Sequence, residues 1–303
     1  MKRLFVLLLL LVELNAEEVG DIINKVNAAT VNTLLIFTSQ EGLNSGKYTF
    51  TKMPTNVNMD IYHLPFTYNF ASDTDINYFI VGNTGYSRVY LDGKRSSGAP
   101  SISLDSFNQI QTYTAGIGGG IKYKPSKDLS ISGGLEVIYS SSGISIKETG
   151  GPISDFFNKN NTDNISYKIF TLLEYRPIVY DFKPYVTLGY KLFETKSELT
   201  VEKAFSFTSE SSVASLSLGV ESPKLYSFDK QNITLEGYII AHYLGGTVRE
   251  VVQFETYRSI GAVAYYNTPA GPWWASRFFI EANTVNSQGL EGYNFGIGFT
   301  IDF

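Results

Sequence analysis

The sequence predicts an all-β chain that closes into a transmembrane antiparallel β-barrel of about 12 strands, with a short N-terminal segment and a cleaved signal peptide ahead of it. Three observations predict this class. The 303 residues include 21 Tyr, 21 Phe and 27 Gly but only 17% charged residues, a balance unusual for a soluble domain. Apolar and polar side chains alternate along many segments of about ten residues, and the connections between them alternate between short and long.

The first residues have the three-part plan of a secretory signal peptide. Met1-Lys2-Arg3 is followed by the apolar run Leu4 to Val12 and then by Glu13-Leu14-Asn15-Ala16. The apolar run is too short to cross a bilayer as a helix, which takes about 20 residues. We therefore predict that residues 1–16 form a signal peptide and that the chain is exported.

Residues 17–30 form an N-terminal segment in which Val19, Ile22, Ile23 and Val26 recur at helical spacing. The alternatives for this segment are a short helix, in the periplasm or inside the barrel, and a disordered terminus. Residues 31–303 are assigned to the barrel. Its first strand is either Val31 to Gln40 or Gly46 to Lys52, because using both would make the strand count odd.

Alternation is clearest in the last twelve residues, GYNFGIGFTIDF. Apolar side chains occupy every second position from Tyr293 to Phe303, and small or polar ones occupy the positions between. Only an extended strand sorts residues this way. Apolar side chains alternate in the same way in four further runs: Tyr62 to Phe70, Ile131 to Tyr139, Phe182 to Leu192 and Ile233 to Tyr243.

The connections provide a second, independent argument. Short turns are predicted at Ala71 to Asp75, Lys124 to Asp128, Arg176 to Asp181, Ser222 to Gln231 and Asn267 to Trp273. Longer polar segments lie between them, at Asp92 to Ser106, Glu148 to Asp163 and Glu194 to Glu202, while Ser287 to Leu290 is a short exception. Short periplasmic turns alternating with longer external loops are typical of outer-membrane barrels.

Charge and cysteine content exclude several functions. The formal net charge is −5, which argues against nucleic acid as a partner. The chain has no cysteine, so disulfides, thiolate metal sites, cysteine nucleophiles and lipid attachment through cysteine are all excluded.

Most of the chain, from about Thr30 to Phe303, resembles the solitary autotransporter-like barrels of Gram-negative outer membranes. The resemblance rests on the twelve-strand size, the LPFTYNF strand at Leu64 to Phe70, the YKPSKDLSISGGLEV turn and strand at Tyr123 to Val137, and a terminal strand ending in Phe303. It implies an outer-membrane location and recognition of the strand ending at Phe303 by the barrel-assembly machinery. We also expect contact with outer-membrane lipid and lipopolysaccharide, and a monomer.

No catalytic, cofactor-binding or metal-ligating residue is assigned, and we do not expect an enzyme. His63 and His242, the only histidines, are predicted to face the lumen, and neither is followed by the serine spacing of outer-membrane lipases. The glycines of GIGGGIK, Gly116 to Lys122, lack the following helix that a phosphate-binding loop needs, so they indicate close packing instead. Asn158 to Asn164 lacks the acidic spacing of a calcium loop and is read as a solvated loop.

Charges of both signs are predicted to face the lumen. The cations are Lys122, Lys168, Arg176, Lys183, Lys191 and Arg277, and the acids are Glu136, Glu174, Glu236, Glu281 and Asp302. Such a balance favours pairs across the lumen and hence a narrow or plugged interior. A set of aromatic residues beside the short turns is predicted to lie at a lipid–water interface: Tyr175, Tyr180, Tyr265, Tyr266, Trp273 and Trp274.

The leading hypothesis is therefore a structural or narrow-pore outer-membrane barrel, resembling an autotransporter barrel without a passenger. Two alternatives remain open. One is an outer-membrane enzyme of the lipase or protease type, which requires a serine, a histidine and a carboxylate, or paired acids, to converge at one rim. The other is an adhesin acting through the external loops.

Overall fold

In the computed structural model, the residues described are Val31, Ile36, 43–52, 56–70, 74–92, 107–146, 161–199, 207–229, 231–268 and 275–301. The predicted signal peptide and the predicted segment 17–30 lie outside these residues. The strands are β1 (Leu43–Phe50), β2 (Asn56–Asn69), β3 (Ile76–Asp92), β4 (Phe107–Tyr123), β5 (Leu129–Ile146), β6 (Asn161–Tyr175), β7 (Lys183–Leu199), β8 (Phe207–Glu221), β9 (Tyr226–Phe228), β10 (Gln231–Gly246), β11 (Thr256–Asn267), β12 (Ala275–Asn286) and β13 (Leu290–Ile301).

Twelve of these strands form one closed antiparallel barrel, as the sequence predicts. Each long strand pairs with its neighbours in chain order, and β1 closes the barrel against β13 with Tyr48 opposite Gly292. Among the described strands, the short β9 pairs with the start of β10 alone. Closure satisfies the backbone hydrogen bonds that an open edge would leave unpaired in lipid.

The identity of the first strand corrects one predicted boundary. The barrel was expected to begin at residue 31, but its first strand begins at Leu43, and Val31 and Ile36 are helical. Of the two segments offered as the first strand, the one near Gly46 is therefore right. Val31 and Ile36 are buried among side chains from the inner face of the barrel, so their apolar character reflects packing inside the barrel and not exposure to lipid.

The two ends of the barrel differ. We call "turn end" the end where short connections follow β2, β4, β6, β8 and β11, and "loop end" the end where connections follow β1, β3, β5, β7, β10 and β12. The tightest loop-end connection is the predicted exception: the amide of Ser287 donates to the carbonyl of Leu290 at 2.8 Å. Of the loop-end connections, those after β3 and β5 are longer than every turn-end connection, and these two long loops, not a strict alternation of lengths, distinguish the ends.

The outer surface carries a continuous apolar belt. On β2, for example, the belt runs from Tyr62 to Phe70, and the alternate large side chains along it are 43% exposed or more. The eight steps from Tyr62 to Phe70, at a rise of ~3.3 Å each and a tilt of ~40°, span about 20 Å along the barrel axis, close to the apolar band of a membrane barrel. Tyr62, Tyr86 and Tyr113 pack side by side at its loop-end rim, with ring centroids 6.2 and 4.8 Å apart.

The alternation changes phase where the belt ends. Along β2, Tyr62, Leu64 and Phe66 point outward, whereas Val57, Met59 and Ile61, nearer the loop end, are buried inside. Asn58 and Asp60 then take the outward positions. At the height of the belt, the barrel is therefore apolar on its outer surface and polar on its inner surface. Beyond the belt, toward the loop end, the inner surface is apolar and the outer surface is polar, as in a soluble barrel.

Within the described residues, no helix is long and apolar enough to cross a membrane. One short helix, α1 (Thr247–Val252), lies between β10 and β11 at the loop end.

Candidate functional site: the barrel interior

The interior has three levels: an apolar cluster at the loop end, a cavity at mid-height and a second cavity at the turn end. We call the first level the loop-end core. It is built from inward side chains of most strands together with Val31, Ile36 and α1. Phe50, Phe193 and Leu244 are all at most 1% exposed, and Phe50 stacks on Phe254 with ring centroids 6.3 Å apart. Packing of this kind excludes water.

Helix α1 forms part of the loop-end core. Gly246, with φ of 71°, turns the chain inward from β10, and a Cβ there would lie 2.2 Å from the carbonyl oxygen of Glu210. The amide of Val248 donates to Ser211 Oγ at 3.2 Å. Val248 and Val252, one turn apart, are 0% and 2% exposed. The helix thus packs its apolar face into the barrel, a feature that the sequence analysis missed.

The central cavity has a volume of about 490 Å³ and contains both histidines, which therefore face the lumen as predicted. Glu136 Oε2 pairs with Lys168 Nζ at 2.6 Å, and the Asn83 amide donates to the same carboxylate. His242 stacks on Tyr257 with ring centroids 4.2 Å apart. His63 is 6% exposed, and its Nδ1 has no hydrogen-bond partner among the described residues.

Glycines allow β4 and β5 to approach each other closely beside this cavity. A Cβ at Gly118 would lie 2.1 Å from the Leu135 carbonyl oxygen, and one at Gly120 would lie 2.3 Å from that of Gly133. A Cβ at Gly116 would meet the side chains of Asn83 and Glu136 within 2.9 Å. The expectation that GIGGGIK marks close packing is therefore confirmed, and its continuation as a strand leaves no helix terminus for phosphate.

The turn-end cavity, of about 570 Å³, contains a network of ion pairs centred on Glu221. This carboxylate, 2% exposed, pairs with Arg277 at 2.9 Å, Lys183 at 3.3 Å and Arg176 at 3.7 Å. It also accepts a hydrogen bond from Thr234 Oγ1 at 3.0 Å. Because three cations surround this buried carboxylate, their attraction offsets the hydration free energy that the carboxylate loses on burial.

Glu236 extends the network on the neighbouring strand. It accepts hydrogen bonds from Tyr185 at 2.8 Å and Tyr265 at 3.2 Å, and Arg176 lies 3.6 Å away. The guanidinium of Arg277 lies over the ring of Tyr265, 3.3 Å from its centroid. Cations, carboxylates and phenols from five strands and from the turn after β6 thus connect the barrel wall at this level.

A chain of polar side chains also crosses the β1–β13 closure. Tyr48 donates to Asn294 Oδ1 at 2.5 Å, and the Asn294 amide donates to Asn283 Oδ1 at 3.3 Å. The Asn283 amide donates to the Tyr238 hydroxyl at 3.1 Å, and Tyr238 in turn donates to Glu281. These bonds join the first strand of the barrel to its last strands through side chains as well as backbone.

Most predicted interior charges do face the lumen. Ten of them border one of the two cavities: Lys122, Lys168, Arg176, Lys183, Lys191, Arg277, Glu136, Glu174, Glu236 and Glu281. Asp302 lies outside the described residues. Glu221 was missed, although the alternation of Leu216, Leu218 and Val220 outward places it inward.

The predicted aromatic girdle needs one correction. Tyr175, Tyr180 and Tyr266 are exposed on the outer surface, as expected. Tyr265 instead points inward, because consecutive residues of a strand face opposite sides and Tyr266 takes the lipid-facing position. Trp273 and Trp274 lie outside the described residues.

Across the described ranges, no group of three or more His, Asp or Glu side chains could hold a metal ion. The site is thus an ion-paired and hydrogen-bonded lumen.

Neither the protein-family models nor the curated protein sequences give a match. Among solved structures, the chain is similar to the translocator domain of the autotransporter NalP from Neisseria meningitidis, with a TM-score of 0.62 and 13% identity, covering 94% of this chain and 99% of that one.

Two further autotransporter barrels show the same similarity. The β domain of the Bordetella autotransporter BrkA gives a TM-score of 0.56 at 9% identity, covering 86% of this chain and 99% of that one. The transport unit of AIDA-I from Escherichia coli gives 0.51 at 8% identity, covering 92% and 99%. The chain therefore has the fold of the autotransporter-type twelve-stranded β-barrel.

Proposed function

We propose that this chain is a barrel of the bacterial outer membrane whose lumen is narrow and sealed at the loop end. The apolar belt and its tyrosine rim support a membrane-spanning position, since alternate outward side chains meet lipid along the strands. In this orientation the loop end faces the outside of the cell and the turn end faces the periplasm.

The observation that carries this proposal is the loop-end core. An open pore needs a continuous polar path, but here Phe50, Phe193, Leu244 and Leu290 are at most 1% exposed and pack across the interior. A hydrophobic constriction blocks ions even where it is not fully closed, because water leaves it. The two polar cavities are then reached from the turn end.

Planar-bilayer recording of the refolded, full-length chain tests this proposal. We expect no large, stable channel, only brief openings of low conductance. A porin-like conductance that is constant over minutes would contradict a sealed lumen. The positive control is the double variant Phe193→Ser, Leu244→Ser. It makes the loop-end core polar and should therefore show a larger and longer-lived conductance than the wild type.

The proposed partners are lipid around the belt, lipopolysaccharide at the loop end and the assembly machinery. Exposed cations beyond the tyrosine rim support contact with lipopolysaccharide, because their charge suits its phosphates: Lys47 and Arg258. Recognition of the strand ending at Phe303 stays a prediction, and so does the monomeric state. Deleting Phe303 should slow insertion into the membrane of cells but not insertion into pure lipid vesicles, which contain no assembly machinery. Equal slowing in both would contradict recognition by the machinery.

We also propose that the barrel is not an enzyme. A general base must lie within hydrogen-bond reach of its nucleophile or of a water molecule and be held by a third group. No described residue is a hydrogen-bond partner of His63 Nδ1, and the ring of His242 is stacked on Tyr257. We expect the wild type to hydrolyse neither ester nor peptide substrates. The His63→Ala, His242→Ala double variant should give the same result.

A further inference from the structure

The charges on the described residues that line the two cavities are nearly balanced, with six cations and five carboxylates, but they are unevenly distributed, and Lys122 borders both cavities. Four cations and four carboxylates among the described residues border the turn-end cavity: Lys122, Arg176, Lys183, Arg277, Glu174, Glu221, Glu236 and Glu281. The described residues around the central cavity supply three lysines, Lys122, Lys168 and Lys191, but only one carboxylate, Glu136. The central cavity therefore carries an excess of positive charge.

The single carboxylate of the central cavity is already engaged. Glu136 pairs with Lys168 at 2.6 Å and accepts from Asn83. No ion pair within the described ranges joins Lys122 or Lys191 to a carboxylate. Lys122 and Lys191 are half-buried, and an ammonium group that is partly withdrawn from water without a paired carboxylate loses hydration free energy, which a bound anion would offset.

Neutral polar groups complete the site. His63 and Thr114 are each 6% exposed, and within the part of the chain that the structure describes neither His63 Nδ1 nor the Thr114 hydroxyl has a hydrogen-bond partner. Both residues line the central cavity, together with the hydroxyls of Ser132 and Ser215. These groups can donate hydrogen bonds to the oxygens of an anionic group.

The rest of the lining sets the size and character of the ligand. A volume of about 490 Å³ lies in the range of small-molecule sites. Phe79, Phe170, Ile138, Val213 and Ile240 supply an apolar wall on the same cavity. A ligand that uses both parts of the lining has an apolar body and one anionic group.

We propose that the central cavity binds a small organic anion, with a carboxylate or phosphate group received by Lys191 and the neighbouring polar groups and an apolar body against Phe79 and Phe170. This proposal rests on the proposed function in one respect, the sealed loop end. With that end sealed, the cavity opens only toward the turn end, so a ligand binds in the cavity and does not cross the barrel.

The test is isothermal titration of the full-length, detergent-solubilised barrel with benzoate, phenyl phosphate and benzamide. Benzamide has nearly the shape of benzoate but no charge, so the pair isolates the charge from the apolar body. We expect at least one of the two anions to bind at least about tenfold more tightly than benzamide. Equal binding of all three, or no binding of either anion, would overturn the proposal, and neither outcome depends on a variant.

Variants locate the site. Lys191→Met should weaken binding of the anion at least about tenfold, and Lys191→Arg should retain most of it, because the charge is kept. Lys196→Met is the matched control: this lysine is on the same strand but points outward, where it pairs with Glu194 at 3.2 Å. Unchanged binding in Lys191→Met, with a folded barrel shown by its heat-dependent migration, would contradict the assignment.

The same preparations separate this inference from the proposed function. High conductance with anion binding retained would overturn the sealed lumen alone. Low conductance without anion binding would overturn the anion site alone.

Discussion

At the scale of single residues, Glu221 and Arg176 each form three ion pairs among the described residues, and Glu221 is the more deeply buried of the two. Replacing it by Gln keeps its shape but leaves Arg176, Lys183 and Arg277 without their shared counter-ion. Breaking a buried ion pair by removing one partner costs about 3–5 kcal/mol. We therefore expect Glu221→Gln to lower the free energy of unfolding by about this amount, measured by guanidinium denaturation in lipid vesicles.

The control is Glu194→Gln on the outward face beyond the belt. Glu194 and its partner Lys196 are 50% and 57% exposed. Exposed pairs contribute at most about 1 kcal/mol. If the two variants lose equal stability, the turn-end network contributes no more than a surface pair.

Gly118 carries the second prediction at this scale. A methyl group there would collide with the backbone of β5, 2.1 Å from the Leu135 carbonyl oxygen, so β4 and β5 must separate to accept it. We expect Gly118→Ala to lower the free energy of unfolding by about 1–3 kcal/mol. Gly237→Ala is the comparison, because a Cβ at Gly237 meets nothing within 4 Å, and a loss in both variants would show that strand propensity, not space, is responsible.

At the scale of elements, α1 closes the loop end. The double change Val248→Ala with Val252→Ala removes two buried side chains from the loop-end core, at about 2 kcal/mol each. We expect lower thermal stability together with more frequent channel openings in planar bilayers. Glu250→Ala, on the exposed side of the same helix, should leave both measurements unchanged.

The accuracy with which the strands could be predicted depends on what the alternation of apolar and polar residues reports. The period-2 runs locate the lipid-facing residues because lipid demands an apolar side chain at every second position. The same rule fails beyond the belt, where apolar residues move to the inner face, as at Ile61 and Tyr62 on β2. A phase change of this kind is visible in the sequence, and it also occurs at Leu192 and Phe193 on β7 and at Tyr243 and Leu244 on β10.

The candidate site was less predictable than the fold. Alternation assigns a side chain to the lumen but does not give its height or its partners across the barrel. Lys191 and Lys183 share the inner face of β7, yet one borders the central cavity and the other pairs with Glu221. That difference depends on the register of six strands, which no local pattern specifies.

At the scale of the whole molecule, two environments meet along the same strands. At the belt the barrel is stabilised against lipid by its outer side chains, and beyond the belt it is stabilised against water by the loop-end core. This division explains why strands such as β7, with 17 residues, exceed the ten or so that a bilayer requires. The extra length forms the walls of the sealed end.

A charge scan of the outer surface tests this division. Leu135 lies near the middle of the belt on β5 and is 61% exposed, whereas Gln111 on β4 lies beyond the tyrosine rim marked by Tyr113. Arginine at the middle of a bilayer costs a barrel about 2–4 kcal/mol, and near the interface about 0–1. We expect Leu135→Arg to show the larger loss and Gln111→Arg the smaller one when unfolding is measured in phospholipid vesicles. Similar losses at both positions, or none at Leu135, would mean that the belt does not face hydrocarbon.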